Sequence, residues 1–369
     1  MSSTLILTTV AAYSALLFFI VWLTSRNANN ESYFIGNRKS NWLVVSYGMI
    51  GASLSGITFM SVPGAVFTTQ FSYLQIVFGY LLGYFFIGTV LMPVYYKLNL
   101  TSIYTYLEQR FGNVSYKTGS MFFIVSRVIG AAFRMYIVVN VMQTFVLDQW
   151  GVPFWLTVLV FIVLILLYTY EGGVKTIVWT DMLQTSFMLL ALIFSVYVIT
   201  SQLDISFSGL LSQIFKSDFS KLFVTDPMSP NFVLKNFFGG AAIAIAMTGL
   251  DQEMMQKNLS CKNIGEAKKN MFTFSMVLVF VNLLFLILGA ALCFYAAQKG
   301  ITINPKKTDD LFPNVALNYL GTIPALIFII GLISAAYPSA DGALTALTTA
   351  FCFDFLGIQK NEKLISSQI

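Results

Sequence analysis

Residues 47–64, YGMIGASLSGITFMSVPG, place Gly48, Gly51 and Gly56, the hydroxyls of Ser53, Ser55 and Thr58, and Pro63 in one apolar run of membrane-crossing length. Two physical readings compete for such a run. Small residues on one face let transmembrane helices approach closely. Glycines and hydroxyls ending in Pro-Gly also mark a helix that breaks at the midplane, where freed carbonyls meet an ion, as in secondary transporters. The hydroxyls and the closing Pro63-Gly64 favour the break. A second stretch, 237–249, FFGGAAIAIAMTG, is interrupted in the same way by Gly239, Gly240 and Gly249. Two interrupted spans five crossings apart point to inverted repeats.

Composition fixes the class. Of 369 residues, 57% are hydrophobic and 10% charged, against about 25% charged in soluble domains. The chain reads as an all-α polytopic membrane protein. Its net charge of +5 is scattered over short loops and implies no nucleic-acid partner. With no histidine, the commonest general base and metal ligand is missing, which argues against hydrolytic and zinc chemistry. Cys261, Cys293 and Cys352 lie far apart in or beside apolar segments and read as small hydrophobes.

A helix of about 20 apolar residues crosses a bilayer. On that measure nine spans are predicted, at 4–24, 43–67, 71–95, 119–146, 153–170, 175–201, 232–250, 271–297 and 323–353. The first has no Lys or Arg before it and Arg26 just after, the reverse of a signal peptide, so it is read as a retained helix. A short amphipathic helix is expected at 312–320, and the polar stretch 202–231 is placed outside the membrane. With the N-terminus outside, 13 Lys and Arg fall on the inner side and six on the outer, which favours N-out, C-in. Lys257 is counted among the inner loops.

Four charges resist placement in loops: Arg127 and Arg134 in the fourth span, Asp181 in the sixth and Asp341 in the ninth. Each costs about 2.5–3.5 kcal/mol at a helix centre on the insertion scale, so such residues face a cavity, a partner or an ion. A buried Arg–Asp pair that only holds helices together is the plain alternative; for the set of four, a pathway fits better. Arg127 and Arg134 are two helical turns apart and share a face, about 10.5 Å from each other along the axis. Thr180 and Gln184 add oxygen beside Asp181; Ser339 and Thr345 do so beside Asp341. Hydroxyls with carboxylates suit Na⁺, and a proton relay is the competing use of the same acids.

YFIGNRKSNWLVV at 33–45, YTYEGGVKTIVWTDMLQT at 168–185 and SADGALTALTTAFCFDF at 339–355 resemble the sodium:solute symporter family. GITFMSVPG at 56–64 brings the chain nearest to the sialic-acid-type branch. The resemblance implies a LeuT-type fold of five plus five helices in inverted repeats behind one extra helix. On that plan 4–24 is the extra helix, 43–201 the first repeat and 232–353 a partial second repeat, within one transmembrane domain over 1–369. Two helices of the second repeat are then missing, as in a chain truncated at its C-terminus.

The resemblance also implies a principal sodium site between the first and eighth core helices, with ligands from the carbonyls of Gly51, Leu54 and Ala335 and the hydroxyl of Ser339. Pro338 stands where a second hydroxyl is usual, lacks an N–H for the Ser334 carbonyl and is expected to kink its helix. Gly342 stands where relatives often have serine. Part of the family builds a second sodium site on the aspartate of Trp-Thr-Asp; here Asp181 and Asp341 are expected to form it together. The solute site is implied at the midplane, lined by Ser53, Ser55, Thr58 and one of Arg127 and Arg134. A guanidinium suits a carboxylate, hence an organic anion such as an acidic sugar. The expected function is Na⁺-coupled symport in a cell inner membrane, with solute, Na⁺ and lipid as partners. A non-transporting sensor on the same scaffold is the alternative, and a membrane enzyme is the least supported reading.

Overall fold

A computed structural model describes residues 3–24, 38–169 and 173–357. Among them all regular structure is helical, and the only β contact is an isolated bridge between Ser40 and Cys261. Arg26, Lys360 and Lys363 of the charge count, residues 33–37 and 170–172 of the quoted motifs, and the terminal residues 358–369 lie outside the described residues.

The first helix, α1, is Ser3–Thr24. Then α2 (Trp42–Ser53) and α3 (Gly56–Thr69) form one interrupted span, bent by 62°. The interruption is local: Leu54 (φ −92°, ψ 91°) and Ser55 (φ −76°, ψ 172°) are extended. Pro63 sits inside α3, so the break comes well before the Pro-Gly that suggested it. The run is both interrupted and closely packed, at different residues. Gly48 and Gly51 serve close packing: a Cβ on Gly48 would lie 3.0 Å from the Asp181 Cβ, and one on Gly51 would overlap the Thr185 hydroxyl.

The chain continues through α4 (Tyr73–Phe86), extended by a wide π turn to Lys97, and α5 (Thr105–Met142), which kinks at Gly112. Gly112 has φ +85°, a value an L side chain rarely adopts. Next come α6 (Phe154–Thr169), α7 (Gly173–Gln202) and α8 (Phe207–Lys216), the last within the predicted extramembrane stretch. The second interrupted span is α9 (Val233–Ala244, widened to Gly249) followed by α10 (Gln252–Leu259), bent by 65°. The long α11 (Ile264–Lys299), the short α12 (Leu311–Asn318) and α13 (Thr322–Ala350) complete the fold.

Among the described residues, six helices are long and apolar enough to cross a membrane, or up to eight if each bent pair is one span. The predicted fifth span corresponds to α6, an apolar helix of 16 residues. The clear correction is at the seventh. The predicted 232–250 ended at the glycines, yet α10 carries the span past the break, and Lys257 belongs to this buried half-helix. Hydropathy missed α10 because its buried residues are largely polar.

Packing draws the interrupted spans together. α4 lies along α9, α7 along both α2 and α13, and α3 along α11. The approaches rely on glycine: a Cβ at Gly79 or Gly240 would enter the opposing backbone of the α4–α9 pair. α13 runs as one helix through Pro338, near which Tyr13 of α1 accepts a 2.8 Å hydrogen bond from Ser334 Oγ. α1 is thereby tied to the α13 segment that carries Ser339 and Asp341.

Candidate functional site

The α2–α3 break opens onto a cavity of about 400 Å³. Ser53, Ser55 and Thr58 line it from the first interrupted span, and Ala244, Met247 and Thr248 from the second. Arg127 and Arg134 of α5, two turns apart, both line it. Three tyrosines of α4, Tyr73, Tyr80 and Tyr84, and Asn282 of α11 add polar surface that sequence reasoning did not single out. Tyr73 and Tyr80 hydroxyls are 3.4 Å apart. Asn282 donates to the Leu278 carbonyl and leaves its buried Oδ1 without a partner. The cavity thus offers guanidinium, hydroxyl and amide groups between aromatic walls, a surface for a polar solute with an anionic group.

The two arginines differ in their company. Arg127 is buried and forms ion pairs with Asp251, at 3.4 Å, and with Glu253. Arg134 is half-buried and makes no ion pair among the described residues, with Asp251 within electrostatic reach. Asp251 caps α10, its carboxylate accepting from the Met254 N–H, so the α9–α10 bend itself positions the Arg127 partners.

Other candidates lie on α7 and α13, which pack along each other. Asp181, Asp341, Ala335 and Ser339 are all buried, with essentially no exposure. Tyr168 donates to Asp341 Oδ2 at 2.8 Å; Asp341 Oδ1, Ser339 Oγ and Thr345 Oγ1 have no hydrogen-bond partner. Gln184 is likewise buried with both amide atoms unpartnered. Buried polar groups without partners are rare, and a cluster of oxygens in that state suits a bound cation. The α2 C-terminus, with Gly51 and Leu54, lies beside this cluster: Gly51 N–H donates to Thr185 Oγ1 at 3.1 Å, and α2 also packs on α13. Helix ends leave their last carbonyls without intrahelical donors, so the break adds carbonyl oxygens.

Asp181 does not stand free for an ion. Lys257 of α10 places Nζ 2.7 Å from Asp181 Oδ2 and 3.5 Å from Glu253 Oε1. The sequence signal for this was present in TGLDQEMMQK, 248–257, where Glu253 and Lys257 are spaced i,i+4 after a glycine interruption. Reading the stretch as a loop hid it.

The sequence profile of the sodium:solute symporter family matches residues 33–363. The sodium/sialic acid symporter NanT of Aliivibrio fischeri is 25% identical over 357 residues, 93% of this chain and 68% of the relative. SiaT of Proteus mirabilis, also a sodium/sialic acid symporter, is 24% identical over 92% of this chain and 68% of its own. The human sodium/iodide cotransporter is 24% identical over 88% of this chain and 51% of its own. Among solved structures, a Na⁺-coupled sialic acid symporter in a substrate-bound outward-open state superposes with a TM-score of 0.84 at 22% identity, over 95% of this chain and 74% of that one. The nucleobase-cation symporter Mhp1 superposes at 0.62 and 13% identity, over 90% and 70%. The architecture is the LeuT-type fold, and the chain belongs to the sodium:solute symporter family, a family of transporters and not of enzymes.

Proposed function

We infer that the chain imports a carboxylate-bearing solute, an acidic sugar of the sialic acid type, together with Na⁺ by alternating access. The observation that carries this reading is a guanidinium that forms no ion pair, Arg134, lining a hydroxyl-bearing cavity in a fold that also buries unpartnered oxygens on α13. Ser53, Ser55, Thr58 and Asn282 would hold the solute hydroxyls, and Arg134 the carboxylate, bidentately. Arg127, held by Asp251 and Glu253, would shape the cavity and set its charge. Na⁺ would be held by carbonyls of Gly51, Leu54 and Ala335 and by Ser339 Oγ, with Asp341 Oδ1 supplying charge.

Sodium in that place would brace α2 against α13 and fix the α2–α3 break that forms one wall of the cavity. A cation that orders the wall raises solute affinity, and by linkage the solute raises cation affinity by the same factor. The membrane potential adds about 2.3 kcal/mol per charge per 100 mV to inward movement. The assignment to an inner membrane with N-out, C-in topology rests on the Lys and Arg asymmetry; with Lys257 removed to the interior, twelve inner charges still face six outer ones. The 43–201 and 232–353 segments, each opening on an interrupted span, would be the first repeat and a partial second repeat. Thermal stabilisation of the purified protein tests the site: Na⁺ should stabilise, sialic acid should add to it only with Na⁺ present, and Ser339→Ala should weaken both. Equal stabilisation in Na⁺ and choline contradicts the reading.

A further inference from the structure

We propose that the Lys257 ammonium is a built-in cation that permanently fills the position between Asp181 and Glu253, leaving the chain one Na⁺ site where Asp181 and Asp341 would otherwise hold a second. The proposal rests on the Na⁺-coupled reading above and deepens it. Lys257, Asp181 and Glu253 are each at most 3% exposed, so bulk solvent does not reach them. The ammonium lies 2.7 Å from Asp181 Oδ2 and 3.5 Å from Glu253 Oε1, and Asp341 is within electrostatic reach of both Asp181 and Lys257. This is the place a monovalent cation would take between buried carboxylates.

The surroundings are built for the ammonium. Any side chain at residue 342 would overlap the Glu253 carboxylate, so Gly342 of α13 is what lets Glu253 reach in from α10. Gly48 does the same for Asp181: a Cβ there would lie 3.0 Å from the Asp181 Cβ and 3.3 Å from the Val178 carbonyl oxygen. Glu253 also pairs with Arg127, which lines the solute cavity. The lysine is thus one end of a continuous ladder, Arg127–Glu253–Lys257–Asp181, that joins the cavity wall on α5 to the α7 face of the cation cluster. A tethered cation cannot leave with the solute. It holds α10 against α7 in every state in which the pair is intact, and it removes one ion from the transport stoichiometry.

The test is bound ²²Na⁺ per protein, counted by equilibrium dialysis of the purified full chain at saturating Na⁺. The account expects one ion in wild type, two in Lys257→Met and one in Asp181→Asn/Lys257→Met. Lys257→Met binding no more than wild type overturns the proposal. Should Lys257→Met fail to fold, Asp181→Asn alone decides: an unchanged count supports the tethered cation, and loss of one ion makes Asp181 a Na⁺ ligand and overturns it. A wild type that binds none while Lys257→Met binds one would overturn the Na⁺-coupled reading and leave the lysine assignment standing.

Discussion

Replacing each cavity arginine by glutamine should produce two different defects. Arg127 is buried between Asp251 and Glu253, so Arg127→Gln removes the ion pair of Asp251 and leaves Glu253 with Lys257 alone, at 3.5 Å. Breaking a buried pair by removing one partner costs roughly 3–5 kcal/mol. Its variant should therefore be expressed poorly or unfold at clearly lower temperature, whatever its solute binding. Arg134 makes no ion pair among the described residues, and Asp251, within its electrostatic reach, keeps its own pair with Arg127, so Arg134→Gln breaks no salt bridge in the protein. Its cost falls on the bound solute: a hydrogen bond to a charged group contributes about 1.5–3 kcal/mol. At about 1.4 kcal/mol per tenfold, that is roughly 10- to 100-fold weaker binding. Arg134→Lys keeps the charge but not the planar fork and should fall between. Isothermal titration with sialic acid at saturating Na⁺ reads affinity, and a melting curve without solute reads stability. The reasoning fails if Arg134→Gln binds like wild type while a fully stable Arg127→Gln has lost binding.

Further perturbations test the packing and the cation cluster. Gly51→Ala drives a methyl into the Thr185 hydroxyl and should destabilise by about 1–3 kcal/mol, with Gly51→Ala/Thr185→Ala recovering much of the loss; an inert single variant would mean the α2–α7 contact is loose. Tyr168→Phe removes a side-chain hydrogen-bond donor from Asp341 and should lower stability in Na⁺-free buffer by about 1.5–3 kcal/mol, measured by denaturant titration in micelles. Wild-type stability there would detach Tyr168 from the site. Burial pushes the Cys261 thiol up to about 12, so at pH 8 almost none is thiolate and maleimide should label it only after unfolding in SDS. Rapid labelling of the folded protein at Cys261 would contradict its buried place after α10.

Much of this architecture was legible because membrane spans obey a length and a polarity rule. The interrupted first span could be read from Gly51, Ser53 and Ser55, although the break falls at Leu54-Ser55 and not near Pro63, which an α-helix accommodates inside α3. The two-turn spacing of Arg127 and Arg134 put both on one cavity. It could not distinguish them, because the distinction lies with Asp251 and Glu253 across the structure. The α10 half-helix escaped notice for a physical reason. Hydropathy treats polar residues as solvated, whereas Gln252, Glu253, Gln256 and Lys257 are buried by their neighbours and by one another. The significance of Gly342 was equally hidden: its missing side chain matters only because Glu253 occupies the space.

The central claim is Na⁺-driven import, and uptake measures it most directly. Purified protein in proteoliposomes should accumulate radiolabelled sialic acid when an inward Na⁺ gradient is imposed, faster with an inside-negative potential, and Ser339→Ala should reduce the rate at low Na⁺. Uptake of equal rate with choline in place of Na⁺, or none in either medium from well-folded protein, would contradict the account.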